Sequence, residues 1–84
     1  MWHVYVLQSG KNGRYYIGCT NDMARRLDRH NAGLVKATKY TRPWSVVYTE
    51  DYADGEAARK RERWLKVQES RAAIDVLIGL RSGG

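Results

Sequence analysis

The order of the predicted elements indicates an α+β fold in which helices flank a three-stranded antiparallel sheet. Three segments rich in β-branched and aromatic residues are interleaved with segments of helical periodicity, in the order strand, strand, helix, strand, helix, helix. A short run of turn-forming residues joins the first two strands, which is typical of an antiparallel hairpin. Such a sheet must bury its apolar faces under helices, so we expect one layered domain.

The predicted strands cover residues 2–8, 14–19 and 44–50, where valine, isoleucine, tyrosine and tryptophan are concentrated. Residues 9–13 supply serine, asparagine and two glycines, which are favoured in tight turns. The hairpin connection is therefore predicted at this run.

The predicted helices cover residues 22–32, 55–68 and 70–80. Met23, Leu27 and His30 recur at helical spacing and share one face of the first helix. Residues 20–22 are N-cap candidates, and Gly33 is well placed to end that helix. Residues 34–43 are predicted to be a basic loop. We expect a single domain over residues 1–84, with its core at 2–80 and a flexible tail at 81–84.

The charge balance favours a polyanionic partner. The formal net charge is +6, and lysines and arginines that neutralise phosphates release condensed counterions. The single cysteine, Cys19, excludes an internal disulfide, and no Cys/His cluster has the spacing of a zinc site. The start of the chain lacks the features of a signal peptide, and no stretch reaches the length of a membrane span. We therefore expect a cytoplasmic protein in a reducing compartment.

Five polar residues follow one another along the chain in a distinctive order. Tyr5 is the centre of a Val-Tyr-Val run, and Tyr16 begins a Tyr-Ile-Gly run, with ten residues between the two tyrosines. Arg26 follows Tyr16 by ten positions, and His30 follows Arg26 by one helical turn. Glu62 lies in the second predicted helix. Taken singly, each suits an ordinary structural role as a strand aromatic, a half-buried histidine or a surface charge.

This arrangement resembles the GIY-YIG nuclease superfamily, in which a paired tripeptide motif precedes an Arg-x-x-x-His or Arg-x-x-x-Tyr helix and a later helix with a glutamate. Residues 30–33 and 39–42 are similar to its short, single-domain, UPF0213-like branch. The resemblance covers residues 2–80 and implies the β-β-α-β-α-α GIY-YIG endonuclease fold. Two positions depart from the pattern, since His3 replaces the first glycine of the name motif and Cys19 stands where some relatives carry a lysine.

The resemblance implies a metal-dependent endonuclease with Tyr5, Tyr16, Arg26, His30 and Glu62 as its catalytic residues. A hard divalent cation on Glu62, Mg²⁺ or Mn²⁺, suits the negative charge that develops during phosphodiester hydrolysis. Arg26 adds a permanent charge with a planar fork that fits phosphate.

The general base stays open among Tyr5, Tyr16 and His30. A tyrosine is a poor base at its ordinary pKa of about 10, so the site must lower that pKa. Arg26 and the metal are suitable charges to do so. His30 shares a helix face with Arg26, and we expect both side chains to point at one phosphate.

Basic residues outside this set predict the DNA contacts. Six basic and two acidic residues lie between positions 22 and 42, and positive charge there alternates with a ring and a hydroxyl. This pattern suits phosphate contacts and base stacking. The predicted contact residues are Arg25, Arg29, Lys36, Lys39, Tyr40, Thr41, Arg42, Lys60 and Arg63.

These observations predict an endonuclease that cuts DNA in repair or recombination, with weak sequence specificity or a preference for a DNA structure. RNA stays open as a substrate. One alternative is a nucleic-acid-binding module of the same fold with weak catalysis. Another is an interaction role in which the basic charge serves solubility. We expect a monomer or weak dimer with no membrane attachment, and a protein partner stays open.

Overall fold

A computed structural model of the chain describes residues 1–68 and 71–81, which form one three-stranded sheet and three α-helices. The strands are β1 (Trp2–Ser9), β2 (Tyr15–Thr20) and β3 (Trp44–Tyr52). The helices are α1 (Met23–Asn31), α2 (Gly55–Gln68) and α3 (Arg71–Arg81), and a 3₁₀ helix (Lys39–Thr41) precedes β3. The predicted α+β fold and element order are confirmed.

Three local predictions need correction. The third strand continues to Tyr52, two residues past its predicted end. The predicted loop at 34–43 contains the 3₁₀ helix, because the Thr41 N–H donates to the Thr38 carbonyl at 3.3 Å. Arg81, predicted as tail, belongs to α3, whereas residues 70 and 82–84 of the predicted helix and tail lie outside the described residues.

The central strand explains why the first apolar run is continuous rather than alternating. The strand order is β2-β1-β3, with both pairings antiparallel. Val4, Tyr5, Val6 and Leu7 of β1 have no exposed surface, because helices cover both faces of this strand.

The two faces of the sheet carry separate apolar clusters. On one face α2 and α3 pack against the sheet, through Val4, Val6, Ile17, Tyr48, Ala58, Leu65 and Ile74. On the other face Tyr5, Leu7 and Trp44 pack with Met23 and Leu27 of α1. The predicted apolar face of the first helix is therefore the face that contacts the sheet. No helix in the described part of the chain combines the length and apolar composition needed to span a bilayer.

Both ends of α1 are set by local sequence. The Asp22 carboxylate accepts a hydrogen bond from the Arg25 backbone N–H at 3.1 Å, as an N-cap does. Gly33 adopts a φ of 78°, a left-handed conformation that glycine tolerates without strain. With its ends held, α1 directs Arg26 and His30, one turn apart, towards β1.

Candidate active site

The hydroxyl group of Tyr5, a residue of β1, is in contact with residues of both β2 and α1. Arg26 Nε donates to this hydroxyl at 3.3 Å, and His30 Nε2 lies 3.1 Å from it. The facing residue on β2 is Gly18, where a Cβ would overlap the phenol. The glycine of the Tyr-Ile-Gly run is therefore required because the Tyr5 side chain occupies the space above it.

A chain of hydrogen bonds continues from His30 into the loop before β3. His30 Nδ1 lies 2.7 Å from Thr38 Oγ1, and Thr38 Oγ1 lies 3.4 Å from the Val35 carbonyl oxygen. Burial lowers the His30 pKa to about 4, with a further contribution from the Arg26 charge, so the imidazole is neutral. Since the Val35 carbonyl can only accept, we infer that Thr38 donates to it, His30 Nδ1 donates to Thr38, and Tyr5 donates to Nε2.

The network departs from two expectations, since the protein residues by themselves do not lower the Tyr5 pKa, and His30 is not exposed to a substrate. Burial raises the Tyr5 pKa, and the hydrogen bond and charge of Arg26 do not offset that effect. The nearby charges of Tyr16 and Glu62 also raise it. The site therefore does not lower the pKa of this tyrosine in the described structure. His30 and Tyr5 have no exposed surface, so His30 does not point at a phosphate together with Arg26.

Arg26 and Tyr16 form the more accessible part of the site, because both are half-buried. The hydrogen bond with Tyr5 raises the Arg26 pKa, and Tyr16 contributes in the same direction. The Tyr16 ring meets His30 edge-on, with 5.0 Å between ring centroids, and Trp44 at 6.3 Å. None of the ion pairs among residues 1–68 and 71–81 joins Arg26 to a carboxylate. Its positive charge is therefore not neutralised by a neighbouring anion in this part of the chain.

Glu62 approaches the site from α2, on the other side of β2. Lys66 Nζ lies 2.8 Å from Glu62 Oε1, and the Cys19 thiol donates to Oε2 at 3.1 Å. Burial first, and then Glu62, raises the Cys19 pKa to about 11, so the thiol stays protonated and can donate. Cys19 is half-buried and packs against the α2 cluster, as expected for a small apolar residue, but it also holds this carboxylate.

The donor set is compatible with one hard divalent cation. No group of three or more His, Cys, Asp or Glu side chains is gathered anywhere in the described residues. Mg²⁺ usually keeps several waters and needs only one or two carboxylates, so Glu62 alone suits it. Glu62 is 20% exposed, and Lys66 must move away from Oε1 before a cation can bind there.

The predicted DNA contacts of α1 and the following loop lie on exposed surface. Arg25 and Arg29 border a cleft of about 340 Å³ together with Arg26. Lys36 is exposed. A second cleft of about 480 Å³ is bordered by Lys11, Asn31, Lys39, Tyr40, Arg42 and Pro43. Thr41 differs from its neighbours, since its hydroxyl donates to the Thr38 carbonyl at 3.4 Å.

Lys60 and Arg63 are exposed on α2, which packs on the opposite face of the sheet from α1. The predicted contact set is therefore divided between two layers of the fold.

Sequence reasoning did not predict the contacts that three residues make in this network, namely Lys66, Cys19 and Thr38. Lys66 could have been found, because it follows Glu62 by four positions, the spacing of a helical ion pair. Thr38 could not, since it lies in an irregular segment and meets His30 only after the chain turns back towards β3.

The GIY-YIG catalytic domain family matches residues 1–74, so this fold and site define a nuclease-type domain. The chain belongs to the GIY-YIG family, and the predicted resemblance is confirmed.

Its similar relatives are UPF0213 proteins. The one from Streptococcus pneumoniae serotype 4 is 45% identical over 67 residues, which are 76% of this chain and 65% of the relative. The one from Halobacterium salinarum is 41% identical over 80 residues, 92% of this chain and 99% of the relative. The chain thus spans about two thirds of the streptococcal protein and nearly all of the halobacterial one. The solution NMR structure of a UPF0213 protein from Bacillus halodurans is 36% identical, with a TM-score of 0.61 over 99% of this chain and 88% of that one.

Proposed function

We propose that this protein is an endonuclease that hydrolyses phosphodiester bonds in DNA. The observation that carries the proposal is Arg26, whose guanidinium is held by the buried Tyr5 hydroxyl at 3.3 Å. No carboxylate within the described part of the chain pairs with it. A fixed, uncompensated cation is suited to the charge that develops on a phosphate during hydrolysis. Membership of a nuclease-type family supports the same reaction.

In this proposal Arg26 binds the non-bridging oxygens of the scissile phosphate. Tyr5, His30 and Thr38 are positioning residues. All three are fully buried, so they do not contact the phosphate and act on it only by orienting Arg26. Their hydrogen bonds hold the guanidinium in one place, so no reorganisation is needed as the transition state forms.

Glu62 is the proposed ligand of Mg²⁺ or Mn²⁺, with the Cys19 thiol orienting its second oxygen. The bound ion would supply Lewis-acid stabilisation of the phosphate and the leaving oxygen. Lys66, once separated from Glu62, remains beside the site as a further cation for the substrate.

Tyr16 is the proposed general base. Tyr5 is buried and already donates its proton to His30, and the His30 pKa of about 4 makes that imidazole a weak base. Tyr16 is half-buried beside Arg26, where it can reach a water molecule. In this role Tyr16 first releases its own proton to solvent and acts as the phenolate, and it then takes a proton from that water as the water oxygen bonds to phosphorus and the bond to the leaving oxygen breaks.

The exposed arginines of α1, Arg25 and Arg29, are the proposed first phosphate contacts on either side of Arg26. Contacts of this kind position the substrate without reading base sequence, which supports weak sequence specificity or a preference for a DNA structure. We further propose that the protein acts in the cytoplasm, in DNA repair or recombination. The cleavage assay described below includes an RNA strand, so it also detects cutting of RNA.

A second candidate function is a nucleic-acid-binding module with weak catalysis. Both oxygens of Glu62 are engaged, and a cation must displace an ammonium group that lies 2.8 Å away. If that displacement is too unfavourable, binding persists without cutting.

The deciding experiment compares Glu62→Gln with Glu56→Gln. Both glutamates lie on α2 and pair with a lysine four residues later, but only Glu62 adjoins the site. Each purified protein is incubated with labelled single-stranded, duplex, nicked, flapped and branched DNA and with a labelled RNA strand. Each reaction contains Mg²⁺, Mn²⁺ or chelator. We expect Glu62→Gln to cut at least about a hundredfold more slowly, while Glu56→Gln stays within about twofold of the wild type.

Equal loss in the two variants would remove Glu62 from the mechanism. Binding without products from any substrate in either metal would favour the binding module.

A further inference from the structure

A cleft of about 670 Å³ runs along the outer edge of β2, beside the candidate active site. β2 is an edge strand, so the hydrogen-bonding groups on its outer side are not used by the sheet. The lining of this edge cleft includes Arg14, Tyr15, Tyr16, Lys66, Arg71 and Ile74. Three cations and two aromatic rings therefore meet in one concavity.

The edge cleft shares residues with the catalytic network. Lys66 lines the cleft and lies 2.8 Å from the Glu62 carboxylate. Tyr16 also lines it, and its ring contacts His30 with 5.0 Å between centroids. A ligand in the cleft thus touches side chains that belong to the proposed site of hydrolysis.

The wall contributed by α3 is held by several contacts. The Arg71 guanidinium lies over the Tyr15 ring at 4.8 Å and donates to the Gly13 carbonyl at 2.8 Å. Asp75 accepts a hydrogen bond from the Tyr15 hydroxyl and lies 3.9 Å from Arg71. Flat aromatic and guanidinium surfaces in this arrangement suit a nucleobase, and the lysine and arginines suit its phosphates.

We propose that the edge cleft binds an unpaired nucleotide next to the scissile phosphate, so that the substrate is single-stranded or carries an unpaired segment. The inference rests on the proposed endonuclease function and names its substrate class. The volume lies within the range of about 300–1,000 Å³ that is usual for pockets that enclose small ligands. A base inside a duplex is stacked and paired, so it cannot enter a concave pocket without leaving the helix.

The test measures binding in chelator, where no cutting occurs, by fluorescence anisotropy of a labelled twelve-nucleotide thymidine strand and of a duplex of equal length. Arg14→Gln removes an exposed cation of the edge cleft. Lys11→Gln is the matched comparison, because Lys11 lies in the same hairpin turn but borders the second cleft, where it donates to the Tyr40 carbonyl. We expect Arg14→Gln to weaken single-strand binding about fivefold and duplex binding by less than about twofold. Lys11→Gln should change single-strand and duplex binding by the same factor, because it removes a cation outside the edge cleft.

A second readout uses the wild-type chain, with an oligonucleotide in which iodouracil replaces one thymine. Photocrosslinking to the peptide that contains Tyr15 and Tyr16 supports the proposal. Crosslinking confined to Tyr40, or equal losses of single-strand and duplex binding in Arg14→Gln, would overturn it. Neither measurement needs cleavage, so the proposal for the edge cleft can be disproved without affecting the proposal that the protein is a nuclease. If Glu62→Gln shows instead that the nuclease proposal is wrong, the same measurements still report whether the edge cleft binds an unpaired nucleotide.

Discussion

Arginine and tyrosine side chains form a polar cluster on each face of the sheet. The two clusters differ in whether the positive charge of the arginine is paired with a carboxylate. On the α2 face, Arg61 donates to both oxygens of Glu50, at 2.9 and 3.0 Å. Tyr48 and Tyr52 donate to the same carboxylate. Burial opposes ionisation of Glu50, but these hydrogen bonds outweigh it and hold its pKa below the ordinary value. The positive charge of Arg61 is therefore fully compensated.

On the α1 face, the hydrogen-bond acceptor of Arg26 is a phenol, whereas the acceptor of Arg61 is a carboxylate. Its Nε donates to the Tyr5 hydroxyl, whose proton is in turn directed to neutral His30. This cluster contains no acidic partner for the guanidinium among the residues that the structure describes. The same residue types therefore leave one cluster balanced in charge and the other with an uncompensated cation, and the proposed phosphate site rests on that uncompensated cation.

The largest expected difference between the clusters is catalytic. Arg26→Ala should slow cleavage about a thousandfold, because it removes the proposed phosphate cation, and should reduce the free energy of unfolding by only about 1 kcal/mol. Arg61→Ala should leave the cleavage rate per folded molecule within about twofold of the wild type. Single-turnover cleavage and urea unfolding of both variants measure the contrast. Equal catalytic losses would show that the balanced cluster also serves the reaction.

The next effect is the pH dependence of stability that His30 gives to the α1 cluster between pH 6.5 and about 4, a range above the one in which the lowered pKa of Glu50 acts on the α2 face. The His30 pKa falls from 6.5 to about 4 on folding, so between these values the unfolded chain binds a proton that the folded chain does not. The stability that His30 contributes is complete above pH 6.5 and is lost as the pH falls towards 4, by roughly 3 kcal/mol.

Urea unfolding at several pH values should show this loss in the wild type and in His3→Gln, which leaves His30 unchanged. The His30→Asn variant should lack it. An equal pH dependence in His30→Asn would mean that other groups cause the acid destabilisation.

The smallest of the three effects concerns the balanced cluster. Arg61→Ala leaves Glu50 with its tyrosine donors but without its cation, and we expect a loss of about 2 kcal/mol in the free energy of unfolding. Adding Glu50→Gln to this variant should recover part of that loss, because it removes the uncompensated carboxylate. A double variant that is less stable than Arg61→Ala would contradict a role based on charge balance.

The fold could largely be predicted from the sequence because its signals are local. The apolar strand segments, the turn residues between them and the caps of α1 each act over a few positions. The predicted strand and helix bounds accordingly agree with the structure to within one or two residues. The 3₁₀ helix was missed because its short, basic sequence has no helical periodicity, and it depends on contacts such as the Ser9 hydroxyl with the Thr41 carbonyl at 2.6 Å.

The candidate site could be predicted from the sequence less completely than the fold. Spacing and family resemblance selected Tyr5, Tyr16, Arg26, His30 and Glu62, but not which of these face solvent. The burial of Tyr5 and His30 depends on helices packing over both faces of β1, which no local pattern encodes. The hydrogen bond from His30 to Thr38 and the proximity of Glu62 to Cys19 likewise require segments that are separated in sequence to meet.

The sequence by itself therefore determined the element order, the charge of the molecule and the residue types of the site, because propensity, periodicity and family motifs act along the chain. Only the tertiary structure decided how protons and charges are distributed among those residues. Desolvation by the packed layers makes His30 neutral and raises the Tyr5 pKa. The same packing gives Arg61 a carboxylate partner and gives Arg26 a phenol, and that difference distinguishes the structural cluster from the proposed active site.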